Sequence, residues 1–475
     1  MGMIIKKWKL SSITKDFKVG LKDYSSLYFE GTPIKDYLIN QSYVSDINSG
    51  RTPSRFNADY WGSDYEFITM SDVDTNLYKL KSTTIDCITE EAISSEKTLL
   101  QVPAGSLIIS NAMTVGLSFI VDRPVYINQN VFWVNVDEKK ISKKFLMWYM
   151  NCVVRKKFQS LFSSKYLSKQ ELSRIIIPNI ELKKQKEFER KILPIEQEIE
   201  ELERKIVSET EIVDEVFGSR FNYDYEKFNE LKAKKNYSSS FSKYGNNIDV
   251  RFSAKFHRPA GEFVYQELLE RPNIKIKKCI CIPMITGQGI ETTDYDDNGD
   301  YVYVSMADIS TWKVNLDDIK NVSNKYAEGK KYKKVKGIAE PVSTEIRADD
   351  ILMMRSGEGG IGKVAIVEDD IKGIFCDFII RIRFDEKQIN PLFAYYYFRT
   401  SYFQYLVEIN KKGLGNNTNI FPNQIQELPI PYLSLVEQQA FIKKIKDELD
   451  KQKIIDKEIQ NKKTEIECIL SSVMK

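Results

Sequence analysis

Eleven residues of this chain recur, in altered form, far downstream. Residues 65–75 (YEFITMSDVDT) and 301–311 (YVYVSMADIST) share Tyr65/Tyr301, Met70/Met306, Asp72/Asp308 and Thr75/Thr311 at a spacing of 236. A second pair, 175–192 and 428–445, aligns Pro178, Leu182, Gln185, Phe188 and Ile192 with Pro431, Leu435, Gln438, Phe441 and Ile445 at a spacing of 253. Two colinear matches, with like apolar runs between them (Leu107 to Ile109, Ile351 to Met353), mean a duplicated unit. The chain is therefore expected to fold as two similar halves, the second carrying extra loop residues.

Each half has the same predicted layout. Strand-like runs come first: Glu66 to Met70, Ser106 to Ser110 and Tyr126 to Val134, then Tyr301 to Ser305, Ile351 to Met354 and Ile374 to Arg383. An aromatic helix follows, holding Trp148 and Tyr149 or Tyr395, Tyr396 and Tyr397, which we read as core. An apolar–Pro segment then leads into a charged helix. In the first of these, Ile195, Ile199, Leu202, Ile206 and Val213 recur at near-heptad steps. In the last, Ile445, Leu449, Ile455, Ile459, Ile466 and Ile469 do so. So narrow an apolar stripe calls for a partner helix, and Pro194 marks a kink or restart.

The fold class that follows is α+β. Two similar globular α/β domains, 1–181 and 248–434, are each followed by a long helix, 182–231 and 435–475. The two helices are expected to pair as an antiparallel coiled coil, and the Ser-rich stretch 232–247 reads as a linker.

Composition narrows the function. Of 475 residues 42% are hydrophobic, and the net charge is only +3 with 29% charged residues. Such a balance argues against a polycation that coats nucleic acid, but not against local cationic loops. One histidine, His257, leaves little room for a histidine-based nuclease or general base. Six scattered cysteines form no C-x-x-C pair, so no metal site is expected and a reduced, cytoplasmic protein fits. No apolar run is long enough to span a bilayer, and MGMIIKKWKL lacks the apolar core of a leader.

One motif invites a catalytic reading. Gly357 to Lys363 satisfies G-x-x-x-x-G-K, but Val364 stands where a phosphate-binding loop needs Ser or Thr for magnesium. A nucleotide hydrolase or nuclease using this 357–363 loop stays open as the alternative. A tight turn with a lysine near DNA phosphate is the leading expectation.

Exposed loops rich in cations, amides and hydroxyls suit phosphate contact and base reading. In the first half these are Arg51, Thr52, Ser54 and Arg55, then Ser163, Ser164, Lys165 and Tyr166. In the second they are Lys330, Lys331, Lys333 and Lys334, then Arg355, Ser356 and Lys363, then Lys411, Lys412, Asn416, Asn417 and Thr418.

At these residues the chain resembles the specificity subunits of type I restriction–modification systems. The likeness is carried by Ser49 to Ser54 before Tyr60-Trp61-Gly62, the strand ending Met70-Ser71-Asp72, and Ala104 to Ser110. In the second half it is carried by Arg355-Ser356-Gly357, Gly362 to Ile366, and Leu428 to Pro431 leading into Glu437-Gln438. The first half has Lys184-Gln185 where the family usually shows Glu-Gln, and the second lacks a clear Thr-Pro-Ser element near Thr286-Gly287.

The resemblance implies two target-recognition domains that read a split double-stranded DNA target, and helices that fix the gap. It also implies docking of methyltransferase subunits, two in number, and of motor-nuclease restriction subunits where present. S-adenosylmethionine, ATP and magnesium would then sit on those partners, and no cofactor on this chain. Ile195, Ile199, Leu202, Ile206, Ile445, Leu449, Ile455, Ile459, Ile466 and Ile469 are the candidates for the helical interface.

Overall fold

The computed structural model describes residues 31–39, 45–82, 84, 86–156, 166–234, 236–240, 242, 253–309, 312–327, 331–335, 338–357, 360–413 and 418–474. It divides into two compact units, Met1–Ile206 with Ile454–Lys475, and Val207–Lys453.

In the first unit the strands Ile47–Ser49, Val131–Val134, Leu107–Ser110 and Ser118–Ile120 lie side by side in one sheet, which Lys79–Leu80 and Val73–Asp74 extend. A second sheet orders Asp86–Ile88, Trp61–Ile68, Val125–Ile127 and Gln101–Val102, and its central pair is parallel. Both faces of this sheet are covered, so Leu107–Ser110 and Val131–Val134 are buried throughout and almost wholly apolar.

The second unit repeats this arrangement. Ile285–Thr286, Ile379–Ile382, Ile351–Met354 and Val364–Ile366 follow the same order, and Tyr301–Val304 runs parallel to Gly373–Phe375. Thr69 and Ser305 mark the end of equivalent strands. Each backbone amide donates to the carboxylate three residues on, Asp72 at 2.8 Å and Asp308 at 2.7 Å. The repeated aspartate therefore caps a turn. The second unit adds a hairpin, Lys331–Val335 with Ile338–Val342.

Two expected strands are each split. Tyr126 to Val134 forms Val125–Ile127 and Val131–Val134, and Ile374 to Arg383 forms Gly373–Phe375 and Ile379–Ile382. The first piece of each joins the parallel pair and the second joins the other sheet, so a turn must intervene. In the first unit the Asn128 side chain accepts from Asn130 N at 2.8 Å to close it.

The aromatic helices are core, as expected. Trp148 and Tyr397 are fully buried, and burying such side chains contributes about 1.5–3 kcal/mol each.

The stretch expected as one spacer helix over 182–231 is three helices: Leu182–Glu203, Glu209–Phe221 and Tyr225–Ala233. Ser208 and Glu211 form a capping box that starts the second, and Asn222 at φ 53° ends it. Of the kink or restart expected at Pro194, the restart does not occur: Leu182–Glu203 runs through it with Phe188, Ile192, Ile195 and Ile199 buried around it.

Within the first unit Ile195, Ile199 and Leu202 share a core with Ile455, Ile459, Ile466 and Ile469 of the helix Leu435–Val473. Glu198 pairs there with Lys462. Within the second unit Phe217 packs edge-on against Phe441 at 4.6 Å, and Arg220 pairs with Glu437 at 2.9 Å. Val207 N donates to Gln452 Oε1 at 3.0 Å, so residues 207–220 run antiparallel to 437–452. Ile445 is buried in this core and Leu449 packs on it. Ile206 belongs to none of this; it lies beyond the helix end and is exposed. The heptad count carried it along, but the chain leaves the helix at Glu203.

Candidate nucleic-acid interface

Four chain segments of the first unit converge where the split strand turns. Gly50 lets its loop lie directly on that turn, since a Cβ there would stand 2.1 Å from Asn128 O. Arg51 N then donates to Ile127 O at 3.0 Å, and the Thr52 hydroxyl donates to Gln129 Oε1. Asn111, at the end of Leu107–Ser110, is buried and donates through Nδ2 to Gln129 O at 3.1 Å. Its amide reaches Asn130 O at 2.9 Å, and its carbonyl accepts from Leu167 N at 2.7 Å. Ala112 is bridged to Tyr166, and beyond it Met113 is 86% exposed at φ 61°.

The second unit builds the same scaffold from different side chains. A Cβ on Gly287 would stand 1.9 Å from Phe375 O, and Gln288 N donates to that carbonyl at 2.9 Å. Arg355 takes the place of Asn111. Its amide donates to Phe378 O at 2.9 Å, its carbonyl accepts from Ile420 N at 2.9 Å, and its Nε donates to Asp377 O at 2.7 Å. Ser356 is bridged to Asn419, which exchanges both backbone hydrogen bonds with Lys412 at 2.7 Å. Thr418 adjoins this bridge, partly exposed. Phe378 and Phe421 are exposed beside Arg355, whose guanidinium lies 5.5 Å from the Phe421 ring.

Arg51, Thr52 and Tyr166 thus come together in one unit, and Arg355, Ser356, Lys412 and Thr418 in the other. The remaining candidates lie elsewhere or are otherwise engaged. Arg55 pairs with Asp86 at 2.5 Å and lies 3.7 Å from the Trp61 ring. Ser54 N donates to Glu96 at 3.3 Å and its carbonyl accepts from Trp61 Nε1. Lys411 pairs with Glu408 at 2.7 Å. Lys331, Lys333 and Lys334 sit on the added hairpin. Ser163, Ser164, Lys165, Lys330, Asn416 and Asn417 lie outside the described residues.

Lys363 follows Gly362, at φ 91°, in a turn joining the antiparallel strands Ile351–Met354 and Val364–Ile366. A nucleotide-phosphate loop must instead open a helix, whose N-terminal amides receive the phosphates. The glycine motif is therefore a hairpin turn, which removes the support for the hydrolase alternative. Among the described residues no group of three or more His, Cys, Asp or Glu could hold a metal ion. Burial pushes the thiols of Cys152 and Cys279 up to about 12 and that of Cys376 to about 11, away from nucleophilic use.

Reasoning from sequence missed Gln129, Asn111, Met113, Asp377, Phe378 and Phe421. Asn111 was within reach, because, like the candidate Arg355, it ends one of the apolar runs that anchor the repeat. A cavity of about 450 Å³ opens beside Asp377 and Phe378, walled by Tyr295, Tyr303, Met306 and Glu291. Among the described residues no helix is long and apolar enough to cross a membrane.

A model of the type I restriction modification DNA specificity domain matches residues 40–210 and again 280–467, together well over half of the chain. A search of curated proteins found no match. Among solved structures, the type I restriction–modification S subunit from M. genitalium is 11% identical, with 95% of this chain and 98% of that chain covered at a TM-score of 0.37. The HsdS subunit from Thermoanaerobacter tengcongensis is 10% identical, with 93% and 95% covered and a TM-score of 0.31. A chain from a study of complex assembly and conformational transition of the type I R-M system is 11% identical, with 94% and 98% covered and a TM-score of 0.39.

Proposed function

The chain belongs to the family of type I restriction–modification DNA specificity domains, and from that premise we propose that it is the non-catalytic subunit that reads a bipartite duplex target. Each unit reads one half of the target through the loops that meet at its split strand. The observation that carries this reading is the pair Asn111 and Arg355: one backbone scaffold, hydrogen-bonded alike in both units, holds a buried Asn111 in one and a partly exposed Arg355 in the other. A reader of two unlike half-sites needs that combination, because positioning is common and base contacts are not.

The helical segments pair as an antiparallel coiled coil and fix the gap between half-sites. Two methyltransferase subunits dock on the chain in the cytoplasm and bring S-adenosylmethionine to adenine, and motor-nuclease subunits join with ATP and magnesium for cleavage. Most apolar stripe residues of the helices are already buried within the chain, so these partners use its exposed faces.

A map of methylated adenines in host DNA tests the reading. Replacing the globular part of one unit with that of a relative changes one half of the methylated target. An unchanged target after that exchange refutes it.

A further inference from the structure

We propose that Arg355, given that these loops face DNA, reads one guanine of the second half-site through the major groove. Its backbone is tied at both ends, to Phe378 O and Ile420 N, so its Cα is fixed relative to the turn. The Nε–H is held by Asp377 O, which sets the plane of the guanidinium, and the Phe421 ring lies 5.5 Å from it. Its two terminal nitrogens have no partner among the described residues. The result is a preset fork of N–H donors, so little side-chain freedom remains to be lost on binding.

Guanine O6 and N7 are two adjacent acceptors on the major-groove edge and match such a fork. Adenine offers one acceptor and one donor there, and does not. A phosphate also accepts a fork, but the surroundings disfavour it. Asp377 and Glu291 line the adjoining cavity and would repel an anion, and Phe378 and Phe421 flank Arg355 with apolar surface. Neutral base edges and a thymine methyl group suit that setting better. Asn111, at the equivalent place in the other unit, spends Nδ2 on Gln129 O, so only one half-site is affected.

The test uses the full-length chain with its methyltransferase subunits, on duplexes of the mapped target in which each guanine in turn is replaced by 7-deazaguanine. This removes N7 and keeps base pairing. One replacement, in one half-site, weakens wild-type binding roughly 5- to 150-fold and does not further weaken Arg355→Ala. Arg355→Lys keeps the charge and loses the discrimination at that pair, with the salt dependence unchanged. The wild-type arm does not depend on whether a variant folds.

If no guanine stands out, the assignment fails. It fails also if Arg355→Ala weakens all duplexes alike and lowers the salt slope by about one, which marks a phosphate contact. In both cases the reading of a bipartite target survives. A wild-type complex that prefers no duplex sequence sinks the two together.

Discussion

The backbone amide of Asn390 donates to Oε1 of Gln438 at 2.7 Å. Asn390 caps the aromatic helix Pro391–Phe398, and Gln438 lies in the first turn of Leu435–Val473. In the other unit Ser142, which caps Lys143–Tyr149, donates in the same way to Gln185 at 2.8 Å. The repeated glutamine is thus a buried clamp between a domain's aromatic helix and the charged helix that leaves it. Its amide also donates to a carbonyl five residues back, Leu433 O at 2.9 Å or Ile180 O at 2.8 Å.

Replacing Gln438 by Leu strands Asn390 N and the carbonyls of Gln388 and Leu433 without partners. Each unpaired buried group costs about 1–3 kcal/mol. Denaturant unfolding should show a loss in that range or above. A loss under about 0.5 kcal/mol, the usual ceiling for a surface change, would mean the clamp does not hold.

Gly287→Ala tests the scaffold beneath the candidate loops. The added methyl group would overlap Phe375 O, so the loop must lift from the turn. Overpacking of this kind typically costs 1–3 kcal/mol. The methylation map should then blur in one half-site only, whereas Gly50→Ala should blur the other. Equal damage to both halves from either variant would contradict independent readers.

Asp214 makes stability depend on pH. Burial raises its carboxyl to about 6, although it accepts from Ser401 N at 2.8 Å. With the folded value above the ordinary 3.8, the native state holds the proton longer than the unfolded one between those two values. Stability is therefore greatest below the lower value, falls as pH rises from about 4 to 6, and is level above, by something on the order of 3 kcal/mol. Asp214→Asn should flatten that slope in unfolding experiments run across this range. An unchanged slope would assign it to other groups.

Ile466→Ala and Ile206→Ala separate the helical stripe that is core from the part that is not. Ile466 is fully buried with Ile195 and Ile199, so its truncation should destabilise by about 2–5 kcal/mol. Ile206 is exposed, and its truncation should stay within about 0.5 kcal/mol. Equal effects would restore the uninterrupted heptad helix that the sequence suggested.

The loop scaffold of the candidate interface was only half legible. Arg51, Thr52 and Arg355 stand out in the sequence by residue type and by neighbouring glycines, and Tyr166 by its Ser- and Lys-bearing neighbours. Gln129 does not, because it sits in what reads as one apolar strand. Its place becomes meaningful only when Ile127 and Val131 enter different sheets and force a turn between them. Arg55 shows the opposite: it looks unengaged in sequence, but in the structure it pairs with Asp86 and lies over the Trp61 ring.

By itself the sequence determined the duplication, the two α/β halves, the buried aromatic helices and the charged helices that follow. Each of these is written in local periodicity and in residues repeated at a fixed offset. Tertiary structure alone decided that residues 182–231 break into three helices, because Ser208 and Asn222 are worth little locally until Val213 and Phe217 find the second unit's core. It also decided which loops meet. Contacts such as Thr52 with Gln129 and Arg355 with Asp377 join residues far apart in sequence, whose proximity no local pattern encodes.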